Sequence, residues 1–208
     1  MKKRHVFLLL LMISLIWLAR SHLNQSLGEV AFRAIGLSPW SEGTQGLHIP
    51  NIIGLIMLVI SFIGVVNGYR SIYPKIVSRL LIGIILLFSV IPWVTENTMY
   101  LIHYNGKDTG SIQVVPKDRR AYFVRNEAGD VTISSQEFRL YNYGQATRMK
   151  VVPLTHDPEW RDATFDPFEL QMEPHSQATF NTAFKGRHTK GAEYSHDSLI
   201  DIQVIAVE

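Results

Sequence analysis

The sequence predicts a membrane protein with three N-terminal transmembrane helices and a C-terminal domain folded as an all-β antiparallel sandwich. Uncharged apolar runs fill most of the first 95 residues and cover 6–19, 49–69 and 80–95. From about residue 110 onward, apolar residues alternate with polar ones, which is the period of a half-buried strand. We therefore assign residues 1–97 to a membrane region, 98–109 to a linker and 110–208 to an extracytoplasmic β-sandwich.

The second apolar run predicts the clearest membrane-spanning helix, over residues 49–69. At about 1.5 Å of rise per residue, this segment reaches roughly 30 Å, the thickness of one hydrocarbon core. Four small residues share one side of this helix, so another helix can approach closely there, and a homo-oligomer through this helix is possible. These helix-packing residues are Gly54, Ser61, Gly64 and Gly68.

The first and third runs predict two further helices, at about 5–23 and 79–96. Pro92 lies near the end of the third helix and is expected to kink or stop it. The first run is short for a span and also suits the core of a cleaved signal peptide, with the cut after Ser21. Because Arg20 lies inside that cleavage site, a retained helix is favoured.

The outer loop between the first two helices, residues 24–48, contains a candidate amphipathic helix. Ser26 is a possible N-terminal cap for it and Gly36 a possible stop. Such a helix can lie on the outer membrane surface or pack on the β domain, and the sequence leaves both arrangements open. Its apolar side comprises Leu27, Val30, Ala31, Ala34 and Ile35.

The distribution of charge predicts the orientation in the membrane. Residues 2–4 and 70–79 together carry six Lys or Arg, whereas the 20–48 segment carries two, balanced by two Glu. By the positive-inside rule, the N-terminus faces the cytoplasm and the C-terminal domain lies outside a multi-pass cell membrane. Residues 98–208 have 12 Lys or Arg against 15 Asp or Glu, so nucleic acid is not an expected partner.

The C-terminal domain contains eight candidate strands separated by turn signals such as Asn142-Tyr-Gly144 and Glu173-Pro-His-Ser176. Short alternating strands with regular turns are typical of an antiparallel sandwich. The candidate strands cover 111–115, 120–126, 130–134, 137–143, 148–154, 167–172, 177–184 and 199–207.

Several of these segments resemble the immunoglobulin-like domains of the PapD and major-sperm-protein type, and the accessory domains of bacterial surface proteins. The resemblance rests on Phe138-Arg-Leu-Tyr-Asn-Tyr-Gly144, Phe168-Glu-Leu170, Glu173-Pro-His-Ser176 and Ala178-Thr-Phe180. It implies an immunoglobulin-like fold for about 70 residues and names no activity. The chain departs from antibody domains because it lacks their cysteine pair and core tryptophan.

No catalytic or metal site is expected from the residue pattern. The chain has no cysteine, which excludes disulfides, thiol catalysis and cysteine-based zinc sites. Four histidines fall in expected loops without the spacing of a metal-binding motif, and no cofactor is expected. Ser195-His196-Asp197 has the residue types of a catalytic triad, but adjacent residues cannot face one another as a triad requires. The four histidines are His156, His175, His188 and His196.

Trp160 and Arg161 are the candidate partner-binding residues. They lie in an expected loop, and both residue types are enriched among the residues that dominate binding energy at protein interfaces. The alternative is that Trp160 covers an open end of the sandwich instead of contacting a partner.

These features favour a membrane-anchored interaction or assembly module without catalytic activity. Its expected partners are the lipid bilayer and another membrane or envelope protein of a bacterial cell. Two alternatives remain at this stage: a membrane-bound hydrolase or metal-dependent enzyme that uses the loop histidines, and an accessory or sensor subunit of a membrane transport complex.

Overall fold

The chain folds into two compact units in a computed structural model that describes residues 3–42, 45–155, 157–189 and 192–207. The first unit, Met1–Thr98, is mostly helical, and the second, Met99–Glu208, is mostly antiparallel β structure. We refer to them as the helical unit and the β unit.

The helical unit contains four helices and one short hairpin among its described residues. Two of the helices, α3 and α4, are long and apolar enough to cross a membrane. The bounds are α1 Lys3–Leu18, α2 Leu27–Ala34, the hairpin strands β1 Trp40–Glu42 and β2 Gln45–His48, α3 Ile49–Tyr69 and α4 Ile76–Ile102.

Helix α1 ends earlier than the sequence predicts, at Leu18 and not near residue 23. The chain turns back at this point. Arg20 and Ser26 form an isolated antiparallel β-bridge. Between them, Asn24 lies in the left-handed backbone region, at φ 60°. The side chain of Asn24 also accepts a hydrogen bond from Arg20, at 2.9 Å. With 16 residues, α1 is shorter than a typical membrane span.

Helix α4 continues through Pro92 to Ile102, so of the two expected effects of Pro92, a kink or a stop, the stop near residue 96 is wrong. Beyond the proline, polar side chains donate hydrogen bonds to backbone carbonyls about one turn back in the helix. Thr95 donates to the Pro92 carbonyl at 2.9 Å, and Asn97 donates to the Trp93 carbonyl at 2.8 Å.

Helices α1 and α3 pack against each other in antiparallel directions through the small residues of α3. The start of α1 contacts the end of α3, and the end of α1 contacts the start of α3. The face that the sequence predicts to admit another helix therefore admits α1 of the same chain. A homo-oligomer through this face would require α1 to leave it. Along α3, Gly54 faces Trp17 and Leu18, Ser61 is fully buried, Gly64 faces Phe7, and Gly68 faces Arg4.

Helix α2 lies in the segment between the first two apolar runs, where the sequence predicts a short helix. The Ser26 side chain accepts a hydrogen bond from the Glu29 amide at 3.2 Å, and the chain leaves the helix at Gly36 with φ +76°. Gly28 packs against the Trp17 ring, which holds α2 on α1. The predicted apolar side of α2 is largely exposed, including Ile35 at 69%.

His22, in the turn after α1, is hydrogen-bonded to α4. Its backbone N–H donates to the Thr95 hydroxyl at 3.1 Å, and its ring Nδ1 lies at the same distance from that oxygen. Burial lowers the pKa of His22, and the negative charge of Glu96 opposes this effect. Because the folded state favours the neutral ring, this histidine costs stability as the pH falls through 6.5 toward the lowered pKa.

The β unit confirms the predicted antiparallel β architecture, in the form of an eight-stranded sheet curled into a half-barrel. The strand order is β7-β9-β5-β4-β10-β6-β8, and β3 also pairs with β5. All pairings among the described residues are antiparallel. The strands are β3 Ile112–Pro116, β4 Arg120–Arg125, β5 Asp130–Asn142, β6 Arg148–Thr155, β7 Thr164–Phe165, β8 Phe168–Gln171, β9 Ser176–Arg187 and β10 Tyr194–Val207.

Two strand predictions need correction. The predicted strands 130–134 and 137–143 form one continuous strand, β5, with a bulge between Ile133 and Gln136. The predicted strands 177–184 and 199–207 are too short, because β9 extends to Arg187 and β10 begins at Tyr194.

Strand β10 joins the two halves of the sheet around one core. Its residues 194–199 pair with β4, and its residues 200–207 pair with β6. Inward-facing residues of both halves belong to one hydrophobic cluster, with Phe123, Phe138 and Val151 fully buried. Loss of either half therefore exposes the core of the other.

We predict that Gly64→Ala weakens the packing of α1 on α3, because an added Cβ would overlap the Phe7 ring. Overpacking of this kind typically costs about 1–3 kcal/mol. The matched control is Gly83→Ala on α4, where an added Cβ meets nothing within 4 Å. Thermal unfolding in detergent should show a loss for Gly64→Ala alone, and equal effects of the two substitutions would contradict the packing.

We predict that Phe138→Ala lowers the free energy of unfolding of the β unit by about 3–5 kcal/mol, because the ring is fully buried. Phe180→Ala should lower the free energy of unfolding by less, because the Phe180 ring stacks on Phe138 at 5.8 Å but is only partly buried. Pulse proteolysis across a urea titration measures both losses. An effect of Phe138→Ala under about 1 kcal/mol would mean that this strand face does not point inward.

Candidate functional site

Trp160 is fully buried, which agrees with the alternative that it covers an open end of the sandwich. It ends a single turn of 3-10 helix, Pro158–Trp160, and its ring stacks on Phe123 at 4.9 Å with an interplanar angle of 24°. Phe123 is itself a fully buried core residue. The indole therefore covers one end of the hydrophobic core, as in the alternative considered above, and offers no exposed ring to a partner.

A buried arginine explains why the loop folds inward at Trp160. The Arg125 guanidinium carbon lies 5.6 Å from the Trp160 ring centroid and 5.5 Å from the Tyr194 ring centroid. Its Nε donates to the Ala192 carbonyl at 2.7 Å, and its terminal nitrogen lies 3.3 Å from a Glu159 carboxylate oxygen. A buried cation needs such partners, because burial without them is very costly.

The pattern of β4 in the sequence indicates that this arginine is buried. Ala121, Phe123 and Arg125 occupy alternate positions of β4, and all three are buried. The same alternation that identifies the strand thus places Arg125 on the inward face, where a charge requires a counterion and aromatic neighbours.

Arg161, the second candidate partner-binding residue, is exposed and lies just beyond the turn that contains Trp160. The structure therefore separates the two candidates. Arg161 keeps its side chain in solvent, whereas Trp160 belongs to the core.

The described histidines do not converge on one site. His175 directly precedes β9 and His188 directly follows it, so twelve strand residues separate them. At about 3.3 Å per residue, this places them roughly 40 Å apart. Among the described residues, no group of three or more metal-ligating side chains comes together. His156 lies outside the described residues.

Ser195, His196 and Asp197 lie on the extended first half of β10, opposite Val124, Phe123 and Tyr122 of β4. Successive side chains of a strand point to opposite faces. The hydroxyl and carboxylate therefore project to one side of the sheet and the imidazole to the other, which agrees with the argument that this row of residues is not a triad.

The opposite end of the β unit is closed by aromatic residues that come from the last turn of α4 and the loop after it. Tyr143 is fully buried and packs edge-on against Tyr100 at 5.2 Å. His175 stacks on Tyr104 at 4.4 Å, and its Nδ1 lies 2.8 Å from the Tyr143 carbonyl. Both ends of the core are therefore covered by packed aromatic rings.

The candidate site is the outer edge of β9. Strand β5 pairs with one side of β9 along its whole length, from Ser176 to Arg187. On the other side, β7 pairs only with Gly186 and Arg187, and the Asp166 amide donates to the Lys185 carbonyl at 2.8 Å. Within the described part of the chain, no strand pairs with residues 176–184 on this side. We call this segment the open edge.

The backbone groups of the open edge point outward at alternate residues. Because the Lys185 carbonyl accepts its hydrogen bond from the β7 side, the residues two, four, six and eight positions earlier present their N–H and C=O groups to that side as well. The open edge thus presents a row of donors and acceptors to a further strand. These residues are Gln177, Thr179, Asn181 and Ala183.

The comparisons with known proteins do not assign a family. No family model matches the chain, and neither a curated protein nor a solved structure matches it significantly.

We predict that Trp160→Ala lowers the free energy of unfolding of the β unit by about 3–5 kcal/mol, because it removes a fully buried ring. Arg161→Ala is the matched control one residue away and should change it by no more than about 0.5 kcal/mol, since that side chain is exposed. Urea denaturation with proteolytic readout compares the two. Equal, small effects would show that the indole does not belong to the core.

Proposed function

We propose that this protein is a membrane-anchored extracytoplasmic interaction module, without catalytic activity, that binds another envelope protein. The open edge of β9 is the observation that carries the proposal. An extended segment of a partner can add to such an edge as a further strand, with main-chain hydrogen bonds giving affinity and side-chain contacts giving specificity.

The character of the edge supports this assignment. Free edges are usually short, bulged, proline-containing or charged, which prevents unwanted pairing. The strands at the two ends of the sheet, β7 and β8, have two and four residues, respectively. Strand β9 has twelve residues, no proline and no bulge in its own register, and its only lysine is Lys185, beside β7. The open edge therefore lacks the usual protection.

The anchoring part of the proposal is that α1, α3 and α4 all cross the cell membrane, with the N-terminus inside and the β unit outside. The apolar lengths of α3 and α4 support two of the crossings. The buried contacts of Leu11 and Leu15 in α1 with Val65 in α3 support α1 as the third. The positive-inside distribution of Lys and Arg supports the orientation.

The immunoglobulin-like arrangement of the β unit is also part of the proposal. The antiparallel pairing and the single core enclosed by two halves of the sheet support it. Immunoglobulin-like domains of the PapD type provide a precedent for binding through a strand edge.

We predict that Thr179→Pro weakens partner binding while leaving the β unit folded. The Thr179 N–H points to the open edge, so proline removes a donor that a partner strand needs but breaks no bond to β5. Thr179→Val retains the N–H and is the matched control. A photo-crosslinking residue at exposed position 177, in the full-length protein in its own membrane, reports the partner.

Cross-linked product should fall about fivefold or more for Thr179→Pro, since loss of one such hydrogen bond is worth about 1 kcal/mol and the proline ring also obstructs pairing. Thr179→Val should retain it. Undiminished cross-linking in Thr179→Pro, with an unchanged melting temperature, would contradict binding by strand addition at this edge.

A further inference from the structure

The basic end of the helical unit contains a groove between α1 and α3. Its volume is about 570 Å³, within the usual range of small-molecule sites. Beside it, α1 and α3 are in close contact, with Phe7 against Gly64 and Arg4 against Gly68. It is lined by Lys3, Arg4, Phe7, Ile60, Ile63, Gly64, Asn67 and Gly68.

The lining of the groove is polarised along the helices. Its polar residues lie at the end nearest the start of α1, and they are Lys3, Arg4 and Asn67. The rest of the lining, which we call the apolar floor, includes Phe7, Ile60 and Ile63. From Ile60 to Gly68, α3 rises roughly 12 Å at 1.5 Å per residue. A ligand that fits this lining therefore has an anionic head of one or a few polar groups and an apolar tail.

The charges around the groove have one sign. The charged residues of α1 and of the 70–79 loop are all Lys or Arg, and the three acidic residues of the first 97 positions are Glu29, Glu42 and Glu96. Those three lie in the outer loop or near the far end of α4. No carboxylate therefore competes with an anionic ligand for the two cations of the groove.

Arg4 is held in place at the mouth of the groove. Its guanidinium carbon lies 5.5 Å from the Tyr69 ring centroid, and its Cβ lies beside Gly68. A cation positioned by an aromatic ring loses less conformational freedom when it pairs with a phosphate than a freely moving side chain does.

We propose that this groove binds an anionic phospholipid of the surrounding membrane, with the phosphate near Lys3 and Arg4 and the start of one acyl chain along Ile60 and Ile63. The proposal rests on the proposed insertion of the helical unit in the membrane. Basic pockets between transmembrane helices on the cytoplasmic side are suited to anionic lipid head groups. In the proposed orientation, the groove faces the cytoplasmic leaflet.

Native mass spectrometry of the full-length protein, released from detergent with equal phosphatidylglycerol and phosphatidylcholine, tests the proposal. The wild-type protein should retain phosphatidylglycerol about tenfold more than phosphatidylcholine, in line with two basic contacts. The double substitution Lys3→Gln and Arg4→Gln should remove the preference. The matched control, Lys75→Gln with Arg79→Gln, removes two charges from the same end of the unit but outside the groove, and should keep it.

Two further measurements distinguish lipid binding in the groove from attraction by positive charge alone. Ile63→Trp fills the apolar floor and should reduce phosphatidylglycerol retention with all charges intact. Inorganic phosphate in millimolar excess should not displace the lipid, since it lacks a tail. Equal losses in both double variants, no effect of Ile63→Trp, or displacement by phosphate would each overturn the lipid site.

Carbonate extraction of native membranes distinguishes failure of this site from failure of the proposed anchoring. Extraction of the wild-type protein would overturn membrane insertion and the lipid site together. A protein that resists extraction but shows no lipid preference would overturn the lipid site alone.

Discussion

Backbone hydrogen bonding is the constraint on which both units depend. In α3 and α4 most peptide groups are paired within their own helix, so their apolar side chains can face lipid with few backbone polar groups left unpaired. In the β unit the same pairing requires neighbouring strands, and it joins eight strands into one sheet. The open edge is where this pairing stops, so the candidate site follows from the same constraint as the fold.

The sequence predicted those elements whose burial has a regular period. Strands such as β4, and the second half of β10 with Ile200, Ile202 and Val204 facing inward, alternate clearly between the core and the opposite face. The first half of β10 does not, because residues 194–197 are all exposed and are held by pairing with β4 rather than by burial. Ser134-Ser135 resembles a turn but forms a bulge, since β9 continues past it on the other side.

The candidate site was less predictable than the fold. Whether β9 has a free edge depends on the length of β7, and β7 is only two residues long. Composition does not reveal such a short strand. Trp160 was misplaced for a related reason: its segment looks like a surface loop, and the residue that draws it inward, Arg125, lies 35 positions earlier in the chain. A pattern among neighbouring residues does not reveal a contact between residues so far apart in the sequence.

The shared position of β10 has a consequence for biosynthesis. Strands β4 and β6 have no hydrogen-bonded connection through the sheet until β10 pairs with both. Since β10 follows all the other strands in the chain, the sheet is incomplete for as long as this segment remains in the ribosome. Before its release, the emerging strands expose unpaired edges, where a chaperone would find an accessible substrate.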